Sequence, residues 1–302
     1  MGLPNFLIIG AMKSGSTALW WDLRTNPSIF FPMDKEVGAF CDERILTTEG
    51  LERYTAYFKA ARRDQICGEA STLYTKRPTY EGVAERARQV LGSDLKLLYI
   101  IREPVARAVS HHYHIHTIGE CGPDIDAVVR SDSTVIDYSR YAMQLEPWLA
   151  AFGREAVMVI AFDHFISDRC GWVEPICSFL GIEPRVDLVE ADRVVNRSDG
   201  KPVHRGIWTS INRMPLYRNL VRPLIPFRLR RRLLEMLLPR APARPAPPRP
   251  ETVDLILDSL CDDTDRLWQI LGEDQPWWDP QQVRCEYAEI WRRAAQSAVA
   301  GD

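Results

Sequence analysis

The fifteen residues FLIIGAMKSGSTALW, beginning at Phe6, constrain this chain more than any other stretch. Phe6–Ile9 predicts a short buried strand, a glycine-bearing turn follows, and Ser16 to about Asn26 predicts a helix that Pro27 stops. A strand that turns through glycines into a helix offers backbone N–H groups and the positive end of a helix to an anion. Gly10 and Gly15 have the spacing of the two glycines in a GxxxxGK[ST] phosphate loop, and Thr17 stands where that pattern has its Ser or Thr. The pattern's lysine is displaced, however. Ser16 holds its position and Lys13 lies inside the loop.

Further strands and helices alternate downstream. "QICGEAS" predicts a short strand with its exit loop, "LKLLYIIRE" the clearest buried strand of the chain, and "AVMVIAF" another, with helical segments between them. This alternation predicts an α/β fold: a P-loop-like central parallel sheet flanked by helices, with an α-helical C-terminal region and ligands at the carboxyl ends of the strands. The chain has 302 residues, 46% of them hydrophobic, which is enough for one large domain or a domain plus an appendage. The expected division is a core over 1–200, a basic, proline-broken helical appendage and linker over 201–250, and a C-terminal helix and tail over 251–302 that pack on the core. Residues Pro27–Thr48 and Gly119–Thr134 read as loops. The last helix, Glu251–Leu271, is expected to bury Leu255, Leu260, Leu267 and Ile270, and "RAPARPAPPRP" before it reads as a stiff linker.

Charge excludes some functions. A formal net charge of −3 gives no reason to expect nucleic acid. No apolar run reaches the roughly 18–20 residues of a membrane span, and neither a signal peptide nor a myristoylation signal is read at the N-terminus. Seven scattered cysteines without a C-x-x-C pair suit free thiols in a reducing compartment, so the expected location is cytoplasmic. Between Arg218 and Arg249, nine arginines face the single acid Glu235. Residues 218–238 read as an amphipathic appendage, as a lid over an acceptor, or as a weak peripheral contact with anionic lipid. Oligomeric state is left open.

A second segment, "IIREPVARAVSHHY", places Arg102 at a strand exit and Ser110 two turns into the next helix. A forked guanidinium and a hydroxyl can clamp a phosphate. Where a magnesium-dependent nucleotide enzyme carries an Asp after its second strand, this chain has Arg102, and Glu103 is a weaker candidate ligand. The pair of loops therefore predicts two anion sites and no metal. Of the histidines that follow, His112 and His116 share a helical face, but no carboxylate or cysteine completes a ligand set. His111, His112, His114 and His116 together read as the wall of an acceptor pocket or as a polar helix face, with one of them as an alternative base.

Taken together these segments resemble the sulfotransferases that use 3′-phosphoadenosine 5′-phosphosulfate (PAPS), in the branch of the heparan sulfate sulfotransferases and their bacterial relatives. "FLIIGAMKSGSTAL" is similar to that family's 5′-phosphosulfate loop, "REPVARAVSHHYH" to its 3′-phosphate motif, and "DKEVGAF" to the segment bearing its catalytic glutamate. "YAMQLEPWLAAF" and the stretch from "PETVDLILDSL" to "DQPWW" resemble later parts of the family. The resemblance implies that Lys13, Ser14, Gly15, Ser16 and Thr17 hold the phosphosulfate, that Arg102 and Ser110 hold the 3′-phosphate, and that Arg197 and Lys201 in "NRSDGKPVHRG" add a late basic contact. It implies Glu36 as general base and Lys13 as the charge beside the leaving oxygen. Lys35, Phe40, Glu69 and His112 are then expected on the acceptor side. Relatives that modify glycans usually have a lysine where "GEASTLY" has Ala70, which argues against a polyanionic acceptor. The expected reaction moves a sulfuryl group from PAPS, released as 3′,5′-ADP, to a hydroxyl of a small molecule, sugar or glycolipid. The rivals are an ATP-dependent small-molecule kinase and a nucleotide-binding scaffold without chemistry.

Overall fold

The structure is a computed structural model that describes residues 2–190, 242–273 and 276–299. The basic stretch 218–238 therefore lies outside the described residues. Along the chain run β1 (Phe6–Gly10), α1 (Ser16–Arg24), β2 (Ile29–Phe30), α2 (Thr48–Ala56), β3 (Ile66–Ala70), α3 (Val83–Leu91), β4 (Lys96–Ile101) and α4 (Pro104–Ile118). Then come α5 (Ile125–Ser131), α6 (Thr134–Asp137), α7 (Tyr141–Phe152), β5 (Val157–Ala161), α8 (Phe162–Ser167) and α9 (Arg169–Leu180). Two long helices follow, α10 (Pro250–Leu271) and α11 (Pro280–Val299).

The five strands form one parallel sheet in the order β2-β3-β1-β4-β5. Every residue of β1 is buried, as both faces of the sheet are covered. The strand's alternation divides the core in two. Leu7 and Ile9 pack with Leu97, Tyr99 and Val157 on the face covered by α3 and α7, while Phe6 and Ile8 pack with Leu98, Ile100 and Ile160 on the face covered by α1 and α9. From β1 the chain first builds outward to β2 and β3, then returns to add β4 and β5 on the other side. The order thus reverses between β1 and β4, and a crevice opens there beyond the strand ends. Gly10 is required at that point, because a Cβ would lie 2.0 Å from Oγ1 of Thr75. That hydroxyl is fixed in turn by donating to the Ile9 carbonyl at 2.9 Å.

A third cluster joins α4, α5 and α6 to the C-terminal helices through Val105, Val128, Val135, Ile256 and Leu260. On α10 the carboxylate of Asp263 accepts from the N–H groups of Ala142 (3.0 Å) and Met143 (2.9 Å), closing the open start of α7. The segment before α10 is more than a linker: the Pro242 carbonyl accepts from the Tyr113 hydroxyl at 3.0 Å, and the Arg249 N–H donates to Asp126 at 3.0 Å. Residues 242–249 are thereby strapped across α4 and α5.

Several local expectations are corrected. The predicted loop Gly119–Thr134 contains α5, capped by Asp124, with Ile125, Val128 and Val129 buried on one face. The loop after Pro27 contains β2, and α11 follows the tryptophan pair where no helix was read. On α10 the buried face is Val253, Ile256, Leu257, Leu260 and Leu267, whereas Leu255 is 40% exposed. α10 meets partners from α4 through α7, so its buried stripe drifts around the helix.

Candidate active site

At the carboxyl ends of β1, β3 and β4 lies a cleft of about 580 Å³. Its donor-side wall is the loop after β1. Lys13 and Gly15 both take left-handed backbone conformations, with φ of 69° and 92°. For Gly15 this is compulsory twice over, since a Cβ would also lie 2.7 Å from the Phe162 ring. α1 then starts at Ser16 with no side-chain cap, and Ser16, Thr17 and Ala18 of its first turn line the cleft. Ser16 and Thr17 line the cleft, whereas Ser14 is 0% exposed and does not reach its wall.

Opposite, β4 delivers Arg102. Its carbonyl accepts from the Tyr141 hydroxyl at 2.6 Å, and its guanidinium lies 4.6 Å from the centre of the Phe162 ring. The buried Nε of Arg102 has no hydrogen-bond partner among the described residues. A desolvated cationic donor left unmatched is costly, so the site is built for an anion. Ser110 lies beside it on the same wall. Glu103 is not directed at a ligand: its carboxylate caps α4 by accepting from the N–H groups of Val105 (2.6 Å) and Ala106 (2.7 Å).

Glu36 enters from the loop after β2. Its N–H donates to the Ala70 carbonyl at 2.9 Å, which ties this loop to the end of β3. One carboxylate oxygen accepts from Thr72 N–H (2.7 Å) and Thr72 Oγ1 (3.1 Å), and the other from Lys35 Nζ. Its backbone is held at φ 64°, a conformation that a non-glycine residue rarely adopts. The carboxylate is therefore fixed in orientation and stands in the same cleft as Lys13, Arg102 and Ser110.

Three expected acceptor residues lie elsewhere. Phe40 is 0% exposed, packed 5.2 Å from the Tyr54 ring and 5.3 Å from Tyr74. Glu69 is 1% exposed and accepts from the hydroxyls of the same two tyrosines; burial pushes its carboxyl up to about 7. Both belong to a packed layer beneath the cleft. His112 is 2% exposed, its Nε2 lies 3.0 Å from the Gly122 carbonyl, and its ring stacks on His116. It lines an adjoining cavity of about 210 Å³ instead, which shares Arg102 and Ser110 with the cleft. Arg197 and Lys201 lie outside the described residues.

Sequence reading missed Thr72, Lys76 and Phe162 in the cleft and Arg244 in the adjoining cavity. Phe162 was findable, for it follows β5 as Arg102 follows β4, at a strand exit. Burial lowers the Lys76 ammonium below its usual range, against the pull of Glu36. No local signal marked Lys76, and Arg244 was hidden in a segment that reads as spacer.

Comparison with known proteins agrees with this geometry. The model of the sulfotransferase domain matches residues 3–202. The mouse heparan sulfate glucosamine 3-O-sulfotransferase 3B1 is 28% identical over 198 residues, covering 60% of this chain and 47% of that protein. The membrane-associated sulfotransferase kil1 of Dictyostelium discoideum is 31% identical over 140 residues, covering 45% of this chain and 26% of that protein. This chain thus spans about half or less of the length of these curated relatives. Among solved structures, a sulfotransferase from Alicyclobacillus acidocaldarius superimposes with a TM-score of 0.65 at 22% identity, over 91% of this chain and 98% of that one. With a domain match across two thirds of its length and the loops after β1 and β4 in place, the chain belongs to the sulfotransferase family.

Proposed function

We propose that this chain is a PAPS-dependent sulfotransferase that sulfates a hydroxyl group. The observation that carries the reading is a single cleft holding Lys13, Glu36, Arg102 and Ser110, with an uncapped helix start on one side and an unmatched guanidinium Nε on the other. Two anion-seeking walls suit a donor that carries both a 5′-phosphosulfate and a 3′-phosphate. The loop Lys13–Thr17 would hold the first, and Arg102 with Ser110 the second. Arg244 stands across the adjoining cavity from them, a late-chain cation positioned to add to the 3′ contact.

In this reading Glu36 accepts the proton of the acceptor hydroxyl as its oxygen bonds to sulfur. The bond from sulfur to the bridging phosphate oxygen breaks, and that oxygen leaves with the electron pair on 3′,5′-ADP. Lys13 supplies positive charge beside the leaving oxygen, the term on which such transfers chiefly depend. Thr72 and Lys35 hold the Glu36 carboxylate in a fixed orientation for the proton. Seven free thiols fit our further proposal of a reducing, cytoplasmic setting.

Calorimetry with 3′,5′-ADP, and separately with ATP plus magnesium, tests the reading. Tight binding of 3′,5′-ADP without added metal is expected. Binding of ATP–magnesium alone would make the protein a kinase, and binding of either nucleotide without transfer to any acceptor would make it a scaffold.

A further inference from the structure

Past Lys76 the cleft opens into a second chamber of about 350 Å³, within the size range of small-molecule sites. The two spaces share Met12, Lys76 and His114, so a ligand can occupy both. The chamber is walled by α4 and by the segment that carries α5 and α6. His111, 4% exposed, stacks on Tyr138 with ring centres 5.7 Å apart, and its Nδ1 has no hydrogen-bond partner among the described residues. Burial among cations drives this imidazole down to about 2, so it is neutral at working pH.

Charge separates the two spaces. The cleft gathers Lys13, Lys35 and Arg102, whereas the chamber shares Lys76 at its boundary with the cleft and is lined also by Glu120 and Asp132. An anionic chain laid through the chamber would meet those two carboxylates and a neutral imidazole. An uncharged ring would meet the His111–Tyr138 pair and apolar Ile115 and Val128, and an amine would meet the rim acids.

Resting on the sulfuryl-transfer reading, we propose that this chamber seats the body of the acceptor. We infer an acceptor of one or two rings, an alcohol or phenol without anionic groups, uncharged or bearing an amine. Its hydroxyl passes Lys76 to reach Glu36, which takes the proton as the new oxygen–sulfur bond forms and the bond from sulfur to the bridging phosphate oxygen breaks, releasing 3′,5′-ADP. Lys76, at the shared boundary, is a positioning residue for that hydroxyl.

The test uses the full chain with PAPS and three acceptors: 2-naphthol, tyramine and heparan sulfate. Both phenols are expected to be sulfated, with kcat/KM at least tenfold above that for heparan sulfate. Ser131→Trp, on the exposed rim, fills the chamber. It should lower kcat/KM for both phenols at least tenfold while the Kd for 3′,5′-ADP stays within twofold. Glu120→Lys should weaken tyramine at least threefold relative to 2-naphthol. Preference for heparan sulfate, failure of both phenols, or unchanged transfer by Ser131→Trp overturns the assignment. Should Ser131→Trp lose 3′,5′-ADP binding through misfolding, the Glu120→Lys selectivity decides, its absence being a refutation. A wild-type chain that does not bind 3′,5′-ADP instead overturns the sulfuryl-transfer reading beneath it.

Discussion

The proposed donor and acceptor halves of the cleft are built differently. The donor half comes from strand exits: the loop after β1, Arg102 after β4 and Phe162 after β5, each placed by the sheet itself. The acceptor half is gathered from the loops at Lys35–Glu36 and Thr72–Lys76 and from α4 through α6, with no strand delivering any of it directly except through the end of β3. A sheet holds its strand ends in a fixed geometry, so the donor half can be shared across many proteins. The loops and short helices opposite are free to differ.

Substitutions on the two sides should separate turnover from nucleotide affinity. Glu36→Gln removes the proposed base and is expected to lower turnover by about 10²–10⁴-fold with 3′,5′-ADP affinity unchanged, since a positioned general base contributes on that order. Isothermal calorimetry beside single-turnover rates would check it; an equal loss of affinity would place Glu36 in the donor half instead. Lys13→Ala should lower turnover about a hundredfold or more, the usual effect of removing one charge-stabilising contact. Circular dichroism would establish that the fold persists, and near-normal turnover would remove Lys13 from the leaving-oxygen role.

Arg102→Ala should act on affinity. A hydrogen bond to a charged group contributes about 1.5–3 kcal/mol, so 3′,5′-ADP should bind about ten- to a hundredfold more weakly while 5′-AMP is little affected. Equal weakening of both nucleotides would mean that Arg102 does not read the 3′-phosphate.

Beneath the acceptor half the expected effect falls on stability and leaves turnover and nucleotide affinity alone. Glu69 has its carboxyl raised from 4.5 to about 7 by burial. The folded state therefore holds this proton more tightly than the unfolded chain. Its contribution to stability is full below about pH 4.5 and is lost as pH rises through about 7, a change on the order of 3 kcal/mol at about 1.4 kcal/mol per unit. Urea unfolding of Glu69→Gln should show a flatter decline between pH 5 and 7.5 than the wild type. An unchanged slope would mean that Glu69 stays ionised under its two tyrosines.

The same division explains what could be read from sequence. The glycine spacing of the first loop, the apolar run of β4 and the Arg102–Ser110 interval are local patterns, and the residues they mark do meet in one cleft. Phe40 and Glu69 carry no such pattern. They lie in the segments flanking Glu36 and Ser71, and only packing reveals that their side chains turn into the tyrosine layer. His112 lies off the cleft for a geometric reason, because on α4 it is His111 and His114 that line the chamber beyond Lys76, while His112 lines the cavity on the other side. Lys76 and Arg244 reach their cavities through contacts distant in the chain, which no spacing rule anticipates.

The carboxylate of Asp263 that closes the start of α7 also sets an order in time. A nascent chain emerging from the ribosome has completed its sheet once Ala161 is out, yet Ala142 and Met143 still wait for an acceptor 121 and 120 residues further along the chain. Until Pro250–Leu271 follows, the apolar sides of α4 and α5 lack the cover of Val253, Ile256, Leu257 and Leu260. Synthesis should therefore pass through a long interval in which the phosphate loop exists but the helical side of the molecule does not. A chaperone that shields apolar helices would find its target in that interval, and a stop codon placed before Pro250 should yield a protein that aggregates.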